Sequence, residues 1–172
     1  MNYLSDLRDT LAVLNPDQSP PPHDIREERD LHRLEYVLRC TAQVLRNMGV
    51  NPTREQDIQA AMNKHLRTVF EDFTPTVVIS KSITGFRPDG GVISLRAAIE
   101  FKFCDTEEKL STAVRGISED LSGYSGSYDW TRFYSVVYQT EPFTNEGEFQ
   151  RSLKLSGNAE KWSLIVVTGG KR

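Results

Sequence analysis

The 172-residue sequence has only two cysteines, Cys40 and Cys104, and it has no long apolar run. So few cysteines exclude the disulfide framework of a small secreted domain and favour a reducing, cytoplasmic location. A membrane span needs about 18 consecutive apolar residues, so no membrane partner is expected. The opening residues MNYLSDLRDT carry acids and no apolar core, which is unlike a secretory signal peptide.

The sequence also lacks an excess of positive charge. Lysine and arginine number 21 against 24 aspartates and glutamates, giving a formal net charge of −3. This balance argues against tight, non-specific binding to nucleic acid, which needs many cations to neutralise phosphates. The three histidines have no zinc-like spacing, so a structural zinc site is not predicted either.

The first 50 residues favour helices and a break. A narrow apolar stripe with helical spacing comes first: Leu4, Leu7, Leu11 and Leu14. The proline-rich segment 15–22 ends that helix, and a second helical pattern covers 24–48. We therefore predict an N-terminal helical arm over 1–50 and a core domain over 51–172. The leucine stripe is too short to be stable alone, which predicts a homodimer or a larger complex.

In the core domain, helical and strand periodicities alternate. Helical spacing covers residues 53–73, 105–121 and 146–155, while strand-like segments cover 76–83, 94–103, 133–138 and 162–167. Thr53 is expected to cap the first of these helices, and 86–91 is expected to form a turn. The pattern predicts an α/β fold with a central sheet flanked by helices.

Three charged residues stand out against this background. The apolar residues of the 94–103 strand share one face: Ile99, Phe101 and Phe103. Glu100 and Lys102 fall on the other face, and burying two charges inside an apolar strand is costly without a purpose. A tight hairpin would bring Asp89 beside Glu100. Carboxylates converging at a sheet edge are what a hard divalent ion such as Mg²⁺ prefers.

Pro88-Asp89 followed by Glu100-Phe101-Lys102 resembles the motif of the PD-(D/E)XK nuclease superfamily. The order of elements also agrees: a helix before the motif, strands that carry it, then a helix and a strand, over about 53–167. The resemblance implies a restriction-endonuclease-like fold with a central mixed sheet. It also implies a Mg²⁺-dependent endonuclease, with Mn²⁺ as substitute, that hydrolyses DNA phosphodiester bonds by metal-activated water and leaves a 5′-phosphate.

The resemblance assigns roles to these positions. Asp89 and Glu100 would ligate the metal, and the Phe101 carbonyl would add a further oxygen. Lys102 would serve the attacking water. The expected catalytic residues are therefore Asp89, Glu100 and Lys102.

The superfamily often adds an acid from the preceding helix, and this chain offers two candidates. Glu55 continues the apolar stripe of that helix, whereas Glu71 lies on its far side, since each residue advances about 100°. We therefore predict Glu55 as the additional metal ligand. Its alternative role is that of an ordinary acid favoured by the helix dipole.

Nucleic-acid contacts are predicted at three cations: Lys81, Arg87 and Arg115. Their alternative role, the more common one for such residues, is that of ordinary surface cations. DNA is the expected partner, although RNA stays open.

Other interpretations of the whole chain stay open. The first is a catalytically silent restriction-endonuclease-like module that binds nucleic acid or a protein partner in a defence, repair or phage complex. The second is a structural oligomer built on the N-terminal helices. In the third, Glu100 and Lys102 occupy a solvated strand face and Asp89 serves an ordinary turn.

Overall fold

The computed structural model describes residues 22–80, 85–124, 127, 129–154 and 162–170. The helices are α1 (Pro22–Arg39), α2 (Thr41–Asn47), α3 (Glu55–Val69), α4 (Glu107–Tyr124) and α5 (Glu146–Lys154). The strands are β1 (Phe73–Thr74), β2 (Ile79–Ser80), β3 (Gly85–Phe86), β4 (Gly90–Val92), β5 (Ala97–Cys104), β6 (Arg132–Gln139) and β7 (Trp162–Thr168).

Five of these strands form one mixed sheet in the order β1-β4-β5-β6-β7. The pairs β1/β4 and β4/β5 are antiparallel, whereas β5/β6 and β6/β7 are parallel. Parallel neighbours require a crossover, and α4 and α5 supply the two crossovers here. The predicted α/β class with a central mixed sheet and helices is confirmed.

The chain divides into two compact units, Met1–Leu34 and Glu35–Arg172. The predicted arm over 1–50 therefore includes part of both units. Its leucine stripe lies outside the described residues, so the homodimer stays a prediction. Among the residues that the structure describes, no helix is long and apolar enough to cross a membrane.

The single helix predicted over 24–48 is wrong, because the structure has two helices separated at Cys40. The Thr41 hydroxyl donates to the Leu38 carbonyl at 2.7 Å, which gives the backbone a local alternative to a continuous helix. After this break, α2 packs against α3 and β7 and belongs to the second unit.

The start of α3 also differs from the expectation. Thr53 does not cap the helix; Arg54 occupies the cap position and contributes no side-chain cap. Instead, the Asp57 carboxylate accepts hydrogen bonds from the Thr53 amide at 2.9 Å and the Thr53 hydroxyl at 3.1 Å. This contact fixes the helix start and hence the position of Glu55, its first residue.

The predicted strands around the motif are longer than the observed ones. Within the described part of 76–83, only Ile79–Ser80 is strand. The strand expected from residue 94 begins instead at Ala97, after a turn in which Arg96 has a positive φ of 49°. The Asp72 carboxylate accepts the Ser94 amide and holds this turn.

Gly90 and Gly91 were expected in a turn, but they belong to β4. A Cβ at Gly91 would lie 2.6 Å from Cζ3 of Trp130, so only glycine lets that ring lie against the strand. The close approach explains why a sequence typical of turns forms a strand here.

An apolar cluster joins α4 and α5 to the parallel half of the sheet. Its buried members are Cys104, Ala113, Ile117, Val137, Phe149 and Leu164. The cluster includes Cys104 of β5, Val137 of β6 and Leu164 of β7.

Candidate metal centre

The site lies where β4 stops pairing with β5. β4 pairs with β5 over Ala97–Ile99, and continuing that register by two residues places Pro88 opposite Phe101. Proline has no N–H to donate to the Phe101 carbonyl, so the ladder ends here. The Asp89 carboxylate accepts the Phe101 N–H through Oδ2 at 2.7 Å.

The same geometry directs the Phe101 carbonyl toward the site. The N–H and C=O of one strand residue point to the same neighbouring strand. Since the Phe101 N–H points at Asp89, its carbonyl faces the same edge. The structure therefore places the Phe101 oxygen on the side predicted for a metal ligand.

Glu100 and Lys102 lie side by side on β5, as the alternation predicts. Lys102 Nζ lies 2.6 Å from Glu100 Oε1 and 3.8 Å from Glu55 Oε2. The Lys102 side chain is 19% exposed and that of Glu100 is 10% exposed, so this ion pair is largely buried. Such a pair is strongly sensitive to the loss of one partner.

Of the two candidate helix acids, the structure brings Glu55 to the site. Glu71 follows the end of α3 and is exposed. Each of Glu55, Asp89 and Glu100 offers one carboxylate oxygen, and these three atoms lie within 4.8 Å of one another. We call these three residues the acidic triad.

Sequence reasoning missed one residue of the site, Gln59. Its Nε2 donates to Asp89 Oδ1 at 2.8 Å and to Glu55 Oε1 at 3.2 Å. A glutamine carries no charge that draws attention in a sequence. The available signal was its spacing, because residues four apart on a helix lie on the same face.

The triad is electrostatically crowded. Burial raises the pKa of Asp89 to about 7, and the negative charge of Glu100 adds to this effect. Burial also raises the pKa of Glu55. Burial alone would lower the pKa of Lys102, but its pKa is raised because the charge of Glu100 and then that of the other two acids outweigh burial. Three carboxylates share one ammonium, so a further cation would relieve the repulsion.

The donor set fits a hard divalent ion. Glu100 Oε2 is buried and has no hydrogen-bond partner among the described residues. Such an orphaned acceptor costs free energy unless something binds it. With the other carboxylates and the Phe101 carbonyl, it forms an all-oxygen environment that suits Mg²⁺ or Mn²⁺.

The predicted nucleic-acid contacts are only partly placed. Lys81 lies outside the described residues. Arg87 is exposed two residues before Asp89, and Arg115 is exposed on α4. Their binding role stays a prediction.

No family model matches this chain, and neither the curated proteins nor the solved structures give a significant match. Interpretation of the site therefore depends on the motif and on the geometry described above.

Proposed function

We propose that this chain is a metal-dependent nuclease of the PD-(D/E)XK type that hydrolyses phosphodiester bonds, with DNA as its expected substrate. The observation that carries the proposal is the acidic triad, with ligand oxygens within 4.8 Å, beside the Lys102 ammonium. These groups come from α3, from the residue before β4 and from the middle of β5, so they converge only in the folded chain.

A bound divalent ion would supply positive charge to the phosphate as negative charge builds during cleavage. Asp89, Glu100, Glu55 and the Phe101 carbonyl would hold that ion. The chain itself orients these groups: Phe101 fixes Asp89 through its N–H, and Lys102 fixes Glu100.

Lys102 is assigned an electrostatic role. Burial lowers the pKa of Lys102, but the charges of the three acids, chiefly Glu100, raise it above its ordinary value, so the side chain is an ammonium beside the triad. An ammonium donates hydrogen bonds and stabilises negative charge, but it cannot accept a proton from water. We therefore assign Lys102 to orienting the water and stabilising the charged transition state.

The crowding of the triad supports catalysis over the silent-module alternative. A structural role does not require a carboxyl group whose pKa is raised to about 7 by burial and a neighbouring acid. Perturbed groups of this kind concentrate at functional sites.

The direct test is cleavage of supercoiled plasmid DNA by the full chain with Mg²⁺ or Mn²⁺. We expect nicking or linearisation by the wild type and a loss of about 10²–10³-fold or more for Asp89→Asn, which removes a ligand charge without changing shape. The matched control is Asp129→Asn, since Asp129 is exposed in the loop before β6. It should cleave like the wild type.

Calorimetric titration with Mn²⁺ gives the second readout. The wild type should bind the ion, and Asp89→Asn should bind it much more weakly. If the wild type binds no divalent ion and cleaves neither DNA nor RNA, the nuclease proposal is wrong.

A further inference from the structure

The Gln59 amide lies between two carboxylates that come from different elements. Glu55 is on the preceding turn of the same helix, whereas Asp89 lies 30 residues further along the chain. The Nε2 group has two hydrogens, and it donates to one oxygen of each carboxylate. It therefore links α3 to Asp89, the residue before β4, at the proposed metal centre.

Each of these carboxylates is also held at its second oxygen. Glu55 Oε2 lies 3.8 Å from Lys102 Nζ, and Asp89 Oδ2 accepts the Phe101 amide at 2.7 Å. With Gln59 at the first oxygens, both groups have a partner at each end. These contacts restrict the orientations that the two carboxylates can take in the folded chain.

Gln59 differs from Lys102 in one chemical respect. Both donate hydrogen to carboxylates of the triad, but the amide is neutral and the ammonium is a cation. An ammonium on Glu100 Oε1 competes with a metal ion for that oxygen. The amide draws two like charges together without adding a positive charge that opposes metal binding.

From this geometry we propose that Gln59 is a positioning residue that preorganises Glu55 and Asp89 for a divalent ion. The inference depends on the proposed metal centre and adds a residue that the motif does not include. Partners of this kind orient ligands, and their loss typically costs about 10–100-fold in metal affinity or activity.

The test replaces Gln59 by methionine, which keeps the length of the side chain and removes the donor. Titration of the full chain with Mn²⁺ alone should show affinity about 10–100-fold weaker than that of the wild type. Gln56→Met is the matched control, because Gln56 is an exposed glutamine on the same helix. Its Mn²⁺ affinity should equal that of the wild type.

A second variant separates positioning from general damage. Gln59→Asn keeps the amide on a shorter side chain that cannot reach both carboxylates, so it should also weaken binding. Thermal unfolding without metal shows whether each variant is folded.

The metal dependence of cleavage gives the readout that a merely structural role would not change. Gln59→Met should need about 10–100-fold more Mg²⁺ for half-maximal rate, with a maximal rate near that of the wild type. A loss of maximal rate that saturating Mg²⁺ does not restore would contradict positioning.

The inference is overturned if folded Gln59→Met and Gln59→Asn bind Mn²⁺ as tightly as the wild type. That result would leave the metal centre of the wild type intact. Failure of the wild type itself to bind Mn²⁺ would instead remove the proposed function on which the inference rests.

Discussion

The two strands that neighbour β5 pair with it over different lengths. β6 pairs with it along its whole length, from Ala97 to Cys104, whereas β4 pairs with it over Ala97–Ile99. The side of β5 that faces β6, which we call the β6 flank, forms a regular parallel ladder; the side that faces β4 is the β4 flank. On the β4 flank, the pairing stops at Ile99, and the acidic triad lies at that point. One flank of β5 is therefore paired along its length, whereas the other has charged side chains where its pairing ends.

The two flanks also differ in energetic character. Beside β6, apolar side chains from α4 and α5 are buried against the sheet. Beside β4, three carboxylates and one ammonium are brought together, and the pKa of Asp89 shows that its ionised form is disfavoured there. We therefore expect the first flank to contribute more to stability than the second, where the proposed activity would come at a cost to stability.

The largest expected effect is a loss of stability on the β6 flank. Phe149 of α5 is 2% exposed and packs in the apolar cluster, so Phe149→Ala should lower the free energy of unfolding by about 3–5 kcal/mol. Tyr36→Ala is the aromatic control, because Tyr36 is 69% exposed. It should change stability by about 0.5 kcal/mol or less.

Urea denaturation measures both variants. A loss below about 1 kcal/mol for Phe149→Ala would mean that the β6 flank does not hold the stability assigned to it.

The next effect concerns the β4 flank and depends on pH. The pKa of Asp89 rises from 3.8 to about 7 on folding, so the folded chain holds this proton more tightly than the unfolded chain. The resulting stabilisation is complete below the unfolded pKa and is lost as pH rises through the folded pKa. The Asp89→Asn side chain does not titrate, so this variant does not lose the stabilisation. Its stability relative to the wild type should therefore increase toward alkaline pH.

Unfolding in chelator between about pH 4 and about pH 8 tests this difference, which should be on the order of 3 kcal/mol. Parallel pH profiles for Asp89→Asn and the wild type would show that the carboxyl group is not perturbed. Asp129→Asn, whose side chain is exposed, should follow the wild type.

Part of the site could be predicted from the sequence because it depends on periodicity. Alternation along a strand puts Glu100 and Lys102 on one face whatever the rest of the fold does. The helical period likewise separated Glu55 from Glu71. These predictions depended only on the regular local geometry of a strand and a helix.

The ends of the elements could not be predicted because they depend on contacts distant in sequence. The start of β5 follows a turn held by Asp72, which is 22 residues from Ser94. The strand conformation of Gly91 depends on the ring of Trp130. Gln59 was missed for a related reason, since its partner Asp89 becomes a neighbour only in the folded chain.

The smallest expected effects compare two glycines by the same substitution. At Gly91 a Cβ would lie 2.6 Å from Trp130 Cζ3 and 2.9 Å from the Ala97 carbonyl oxygen, and the backbone of β5 cannot move aside cheaply. Gly91→Ala should therefore destabilise the chain by about 1–3 kcal/mol. At Gly116, inside α4, a Cβ meets nothing within 4 Å. Gly116→Ala should stabilise by about 0.5–1 kcal/mol, because alanine favours the helix.

Urea denaturation of the two alanine variants gives the signs. A lower free energy of unfolding for Gly91→Ala and a higher one for Gly116→Ala would show that the short strand β4 is tightly packed. The unpaired part of the β4 flank would then begin directly at Asp89. If Gly91→Ala were as stable as the wild type, β4 and the Trp130 ring would have to move to make room for the added methyl group. The position of Asp89 relative to Glu100 would then be set by the hydrogen bonds from Phe101 and Gln59 rather than by the strand.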